Sequence, residues 1–149
     1  MNRDKGHHAR PPLITSQIGS LYKKMLREGD RIFREQNFPL EIDQIPVLVL
    51  LYYQQGMTQQ DISSKLQRDK ASVNRTVAFL TKKDLVTVVQ DVTDKRKTRV
   101  ELTATGKELA AQADAIVKKM DKHLIAGLSE KEIAQFSTLI NKLIETSFT

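Results

Sequence analysis

Cysteine does not occur anywhere in the chain. Its absence excludes a disulfide framework, a cysteine-based zinc site and a thiol redox switch, so any oxidant sensing through sulfur would fall to methionine. Long hydrophobic runs are missing as well. No stretch of about 18 apolar residues is found, and the first fifteen residues hold no secretory apolar core. Such a chain is expected in the cytoplasm, without a membrane partner. A Gly-rich phosphate loop, a nucleophile elbow, a metal-ligand cluster and a convincing acid/base pair are also lacking, which argues against an enzyme and against a cofactor or metal.

What the chain has is positive charge. Its 149 residues include 24 Lys and Arg against 18 acids, for a net charge of +6 and a pI near 9.6. That balance points to a polyanionic partner more than to an acidic substrate. The excess is unevenly placed. Residues 58–103 hold ten basic and six acidic groups and residues 1–36 hold eight and four, while 104–149 balance at six each. Between them, 37–57 carry only Glu41 and Asp43. The 40% apolar content suffices for the core of one small domain with extensions.

The rest of the chain is organised around Thr58 to Val86. Thr58 can cap a short helix with Ile62 and Leu66 on one face, and Asp61 completes a weaker form of the capping box. Gln67, Arg68 and Asp69 then break the apolar rhythm. Asp69 is a good cap for a second helix, whose Val73, Val77 and Leu80 share a face. When that stripe packs inward, the helical period turns Ala71, Arg75, Ala78 and Lys82 outward, with Ser72 and Asn74 on the flanks. Small side chains permit close approach to a DNA major groove, and Arg and Asn can make bidentate hydrogen bonds to guanine and adenine. The pair is read as a helix-turn-helix. The plainer alternative is a helical hairpin with a solvated charged side.

Upstream, Met1 to Arg10 is polar and ends at Pro11-Pro12, which predicts a loose arm over residues 1–12. His7 and His8 fall in it, with no further ligand types nearby to build a metal site. From Leu13 to Phe33 apolar residues recur at three- and four-residue steps, as an amphipathic helix requires, and Asn37 and Pro39 end it. A buried helix follows, capped at Asp43 with Pro46 as its third residue, running through Ile45 to Tyr53 and closed by Gly56.

Downstream, Val86 and Val88, then Val100 and Leu102, alternate with polar residues on either side of the loop DVTDKRKT. This predicts a hairpin with Asp94, Lys95, Arg96 and Lys97 at its tip and Arg99 just inside the return strand. Placed directly after a helix-turn-helix, it reads as a wing whose basic tip can reach phosphates or the minor groove. A charged tip also serves merely to keep an exposed hairpin soluble. Thr103 opens a long helix with Leu109, Ala113, Ile116, Val117, Met120 and Leu124 in a stripe, stopped by Gly127. Ser129 and Glu132 then form a capping box for a last helix presenting Ile133, Phe136, Leu139, Ile140, Leu143 and Ile144. His123 is read as a partly exposed packing residue.

This order of elements, together with Asp94, Arg96, Leu102, Thr103 and Gly106 in the run DKRKTRVELTATG, resembles the MarR family of bacterial transcription regulators over roughly residues 13–146. In that family the wing reads Asp-x-Arg, followed by a strand ending Leu-Thr-x-x-Gly. The resemblance implies an obligate homodimer with intertwined terminal helices, in which two winged heads read one palindromic operator. It further implies that Asp94 anchors the wing through a salt bridge, that Arg96 enters the minor groove, and that the helix bearing Ser72, Asn74 and Arg75 enters the major groove. Many members release DNA on binding a small, often aromatic or anionic, molecule. Two positions depart from the pattern. Asp84 stands where the family usually has Gly, and Val88 where a basic residue is frequent. The histidine and carboxylate sets of zinc-responsive members are not apparent.

The expected fold is thus mostly α, a winged helix-turn-helix with a small β-hairpin wing over 37–103 and helical dimerisation segments at 13–36 and 104–149. The expected function is a dimeric, ligand-responsive regulator of transcription on double-stranded DNA. Lys70, Lys82, Lys95 and Lys97 would neutralise phosphates, while Asn74 and Arg75 would choose sequence. Ala71, Ser72, Asp94, Arg96 and Arg99 complete the candidate interface. Tyr22, Met25 and Tyr53 are candidates for an effector pocket, since aromatic and soft side chains suit an apolar ligand; plain core is the alternative. A nonspecific architectural DNA binder and a winged-helix protein-interaction module are the competing functions. Operator, regulated genes and the sign of regulation are not encoded in any pattern of residues.

Overall fold

The structure, a computed structural model, describes residues 13–147. The arm over 1–12, with His7 and His8, lies outside them. Eight elements follow in order: α1 Ile14–Glu35, α2 Ile45–Tyr53, α3 Gln59–Leu66, α4 Lys70–Lys82, β1 Val86–Gln90, β2 Thr98–Leu102, α5 Ala104–Leu124 and α6 Glu130–Ile144. No helix of the described residues is long and apolar enough to cross a membrane. Packing divides the chain into two units, residues 1–42 and 43–149.

The first unit is α1 with the segment that follows it. Leu13, in extended backbone, precedes the helix, and Asn37 ends it with φ +51°, a left-handed conformation that Asn tolerates better than most residues. Phe33 meets Phe38 edge to face with ring centroids 5.0 Å apart. Along the exposed side Arg31 bridges Glu28 and Glu35, and Arg34 pairs with Asp30. Pairs this exposed are screened by water and add little to stability. Ile14, Ile18, Leu21, Tyr22, Met25 and Leu26 remain exposed.

The core of the second unit is built around α2, whose apolar residues leave it no polar face. Val47, Leu48 and Leu51 are fully buried with Ile62 of α3, Val73, Val77 and Leu80 of α4, Val86 of β1, Val100 of β2 and Ala110 and Ala113 of α5. Each such aliphatic side chain contributes roughly 1.5–3 kcal/mol of burial for the larger residues. The α2 start differs from the expected one. Asp43 does not cap it; Gln44 holds the cap position, so Pro46 is the second helical residue, and the Asp43 carbonyl instead accepts from Arg68 Nη1 at 2.6 Å. The helix also ends before Gly56, at Tyr53.

The helix-turn-helix forms from local chemistry. Thr58 Oγ1 accepts from Asp61 N at 3.1 Å while Asp61 accepts from Thr58 N at 3.1 Å, a closed capping box. Gln67 turns the chain at φ +49°, and Asp69 caps α4 by accepting from Ser72 N at 2.8 Å. Asp84 then takes φ +56°, a left-handed conformation that Gly adopts freely and Asp tolerates.

Strands β1 and β2 pair antiparallel from Val86↔Leu102 to Gln90↔Thr98. Met57 adds a single antiparallel bridge to Val100, whose N–H donates to the Met57 carbonyl at 2.8 Å. Val86, Val100 and Leu102 face the core as the alternation predicts, but Val88 is 42% exposed. Its cross-strand partner Val100 is buried because β2 is flanked on its other edge by Met57, whereas β1 is the outer strand of the pair. Thr103 caps α5, which packs on α2. Of the predicted α5 stripe, Ala113 and Ile116 are buried while Val117 and Leu124 are exposed. Ala110 and Asp114 share the buried face instead. Ser129 and Glu132 close the predicted capping box of α6, and α6 buries none of its residues.

Candidate nucleic-acid interface

The surface of α4 is set by its own period. With Val73, Thr76, Val77 and Leu80 buried, Lys70, Ala71, Asn74, Arg75, Ala78 and Lys82 are exposed, as expected from the sequence. Lys70, Asn74, Arg75 and Lys82 make no side-chain hydrogen bond or ion pair among the described residues, so their donors are open to a partner. Ser72 differs. Its hydroxyl accepts from Arg68 Nη2 at 2.6 Å, and the same guanidinium reaches the Asp43 carbonyl. Arg68 therefore ties the first turn of α4 to the segment leading into α2. Sequence reasoning saw Arg68 only as a break in apolar rhythm, because neither of these contacts has a local signature.

The wing is organised by Asp91, which the sequence reading passed over. This residue is 3% exposed. Its Oδ1 accepts from Thr93 Oγ1 at 2.6 Å, Thr93 N at 2.8 Å and Asp94 N at 2.8 Å, and its Oδ2 accepts from Arg99 Nε. The Thr93 hydroxyl, the Asp94 and Thr93 amides and then the Arg99 guanidinium hold its carboxyl far below the usual carboxylate range. Further out, Lys97 N donates to the Asp94 carbonyl at 2.9 Å, closing the tip turn, and Gln90 Nε2 donates to the Lys95 carbonyl at 2.6 Å.

Asp94 pairs within the tip, with Arg96 Nε at 3.3 Å, and also accepts from Arg96 N at 3.1 Å. Lys95, Arg96 and Lys97 are exposed. Arg99, grouped with them in sequence, does something else: its Nη1 donates to the Gly56 carbonyl at 2.6 Å while Nε is held by Asp91. The wing is thus tied to the segment before α3 through Arg99 and Asp91, whereas the Asp94 salt bridge stays local to the tip. A cleft of about 510 Å³ opens beside Arg99, lined also by Gln55, Met57, Asp61 and Lys65. The Thr58 hydroxyl and amide lower the Asp61 pKa, with a smaller contribution from the charges of Arg99 and Lys97.

The candidate pocket residues stand elsewhere. Tyr22 and Met25 are exposed on α1, and Tyr53, also exposed, belongs to the second unit. Tyr53 ties α2 to α5: its hydroxyl donates to Asp114 Oδ1 at 2.8 Å, and Lys118 donates to Asp114 Oδ2 at 2.8 Å with its ammonium 5.6 Å from the Tyr53 ring centre. The Lys118 ammonium, then the Tyr53 hydroxyl, lower the Asp114 pKa against the opposing effect of burial. None of the three lines the cleft beside Arg99. Among the described residues no group of three or more His, Asp or Glu is placed to hold a metal ion.

Residues 40–98 match the family model described as MarR family. A MarR/EmrR family transcriptional regulator from Acinetobacter sp. ADP1 is 30% identical over 87% of this chain and 90% of its own, with a TM-score of 0.79. The S. aureus MepR structure, solved as a DNA complex, is 27% identical over 90% of this chain and 98% of its own, with a TM-score of 0.81. A MarR family regulator from Listeria monocytogenes, solved with a 26mer DNA, shares the fold at 21% identity and a TM-score of 0.81, over 91% of this chain and 89% of its own. The family match, the 30% identical regulator and the helix-turn-helix followed by a basic hairpin agree, and the chain belongs to the MarR family of winged helix-turn-helix transcriptional regulators.

Proposed function

We propose that this DNA-binding regulator acts as a homodimer that lays α4 of each protomer in the major groove of a near-palindromic operator and the wing tip against the adjacent minor groove. The observation that carries the reading is the outward face of α4, where Ala71 and Ala78 allow close approach beside the uncommitted side chains of Asn74 and Arg75. Lys70, Lys82, Lys95 and Lys97 neutralise phosphates, and Arg96 supplies the minor-groove contact. Dimerisation is supported by the apolar residues left exposed on α1 and on α6, where Phe136, Leu139, Leu143 and Ile144 all face solvent in the single chain. Repression, relieved by a small aromatic or anionic effector, completes the reading and is supported by family membership.

The test is selection of bound fragments from a random duplex library at moderate salt, with the mass of the protein measured in the same buffer. An enriched inverted repeat with half-sites about one helical turn apart, roughly 34–36 Å, and a dimeric mass are expected. Retained fragments with no shared motif would replace this reading with architectural binding. No retention at all would point to a protein-interaction module.

A further inference from the structure

Arg99 lies in a basic stretch and by its position would be counted among the phosphate contacts. Its geometry is different. Nε is held by a carboxylate that is itself almost wholly buried, and Nη1 donates to the Gly56 carbonyl at 2.6 Å, 43 positions earlier in the chain. Gly56 takes φ +67°, and Met57 immediately after it pairs with Val100, the neighbour of Arg99 on β2. One side chain therefore joins three segments: the loop before α3, the return strand and, through Asp91, the chain entering the tip. On the tip side, the Asp91 carboxylate also gathers the Thr93 and Asp94 amides and the Thr93 hydroxyl, so it determines how the loop leaves β1. No other side-chain hydrogen bond or ion pair among the described residues links the wing loop 91–97 to the helix-turn-helix segment.

We infer that Arg99 is a positioning residue for the wing, not a DNA contact: paired with Asp91 and the Gly56 carbonyl, it sets the orientation in which Arg96 meets the minor groove. The inference rests on the DNA-binding reading for its consequence and on geometry alone for the clamp. A hydrogen bond between charged partners is stronger than a neutral one, and a lysine in place of Arg99 keeps the charge but cannot reach both partners with a planar fork.

The two roles predict opposite signs for one substitution. If Arg99 contacts phosphate, Asp91→Asn frees it and removes a nearby negative charge, so DNA binding strengthens. If Arg99 is a clamp, the same change loosens the wing and binding weakens. On the preferred duplex, Asp91→Asn and Arg99→Lys should each weaken binding by about tenfold, within the range lost with one charge-assisted pair. In footprints the minor-groove protection should fade while guanine N7 protection in the major groove persists. Placed on an Arg96→Ala background, neither change should add a further loss, because the contact it positions is already gone. Stronger or unchanged binding by Asp91→Asn, or an additive loss with Arg96→Ala, would overturn the assignment.

A second arm needs no DNA. Hydrogen exchange of the full chain should show the amides of 91–97 opening faster in both variants, with α3 and α4 unchanged as an internal control of folding. Unchanged exchange in the wing would overturn the clamp whatever the DNA experiments show. Failure of the unaltered protein to bind any duplex would sink the functional reading and leave the clamp to be decided by this arm.

Discussion

Gly106 sits so close to the backbone of Leu85 that a Cβ added to it would lie 1.8 Å from the Leu85 carbonyl oxygen. The same oxygen accepts from Thr103 N at 3.0 Å. The glycine that ends the family motif is therefore a packing requirement, met where the first turn of α5 crosses the chain entering β1. Gly106→Ala should destabilise the fold by at least about 1–3 kcal/mol, because the obstacle is backbone that cannot rotate away. Gly127→Ala, with nothing within 4 Å of the added carbon, should change stability little. Urea midpoints of the two variants measure the contrast, and equal midpoints would contradict it.

Thr103 serves both sides of the same junction. Its hydroxyl accepts from Gly106 N at 2.9 Å and donates to the Asp84 carbonyl at 2.7 Å, so it caps α5 and fastens the turn that follows α4. Thr103→Val keeps the shape and removes both bonds, for an expected loss of about 1–2 kcal/mol. Thr103→Ser keeps both and should lose much less. Thermal unfolding of the pair separates the hydroxyl's contribution from that of the methyl group.

On the preferred operator, Arg75→Ala should cost about 1–3 kcal/mol and flatten discrimination between sequences. Lys95→Ala should weaken all sequences alike and reduce the slope of log K against log salt by about 1. Titrations at several salt concentrations, on the operator and on a scrambled duplex, give both quantities. Retained operator preference in Arg75→Ala would remove Arg75 from the base-reading role.

Leu139 and Leu143 lie one turn apart on α6, both about half exposed, on a helix that buries none of its own residues. Charging them should therefore spare the folding of the single chain and act on association. The Leu139→Lys, Leu143→Lys double variant is expected to sediment as a monomer at micromolar concentration and to lose operator affinity, since each half-site would then be bound singly. A dimeric mass for this variant would locate the interface elsewhere.

Loss of stability in acid should come from carboxylates whose pKa is lowered by folding: Asp91 most of all, with Asp61, Asp114 and Glu132 shifted in the same direction. A lowered folded-state pKa means that the unfolded chain takes up the proton first. Stability from these groups is therefore complete above the unfolded pKa, about 4, and is lost as the pH falls below it. Asp91→Asn should show a shallower fall in unfolding midpoint below about pH 4 than the unaltered chain, and the same slope near neutrality. Parallel curves throughout would show that Asp91 carries no such linkage.

The sequence by itself determined the parts that depend on near neighbours. A hydroxyl or carboxylate three residues before a free amide makes a cap, so Thr58, Asp69, Thr103 and Ser129 marked four helix starts correctly. The helical period likewise determined which residues α4 turns outward, and alternation located both strands of the wing. Tertiary structure alone decided what depends on residues far apart in the chain. Asp43 is chemically as good a cap as Asp69, yet its carbonyl is engaged by Arg68 and the helix begins after Gln44. Asp114 breaks an apolar pattern on paper, and it is buried because Tyr53 and Lys118 satisfy its two oxygens. Asp91, Arg99 and Gly56 meet only once α2, the hairpin and the loop between α2 and α3 have packed. No spacing rule reports such a meeting, because a hydrogen bond is specific in three-dimensional distance and angle, while sequence separation constrains neither beyond a few residues.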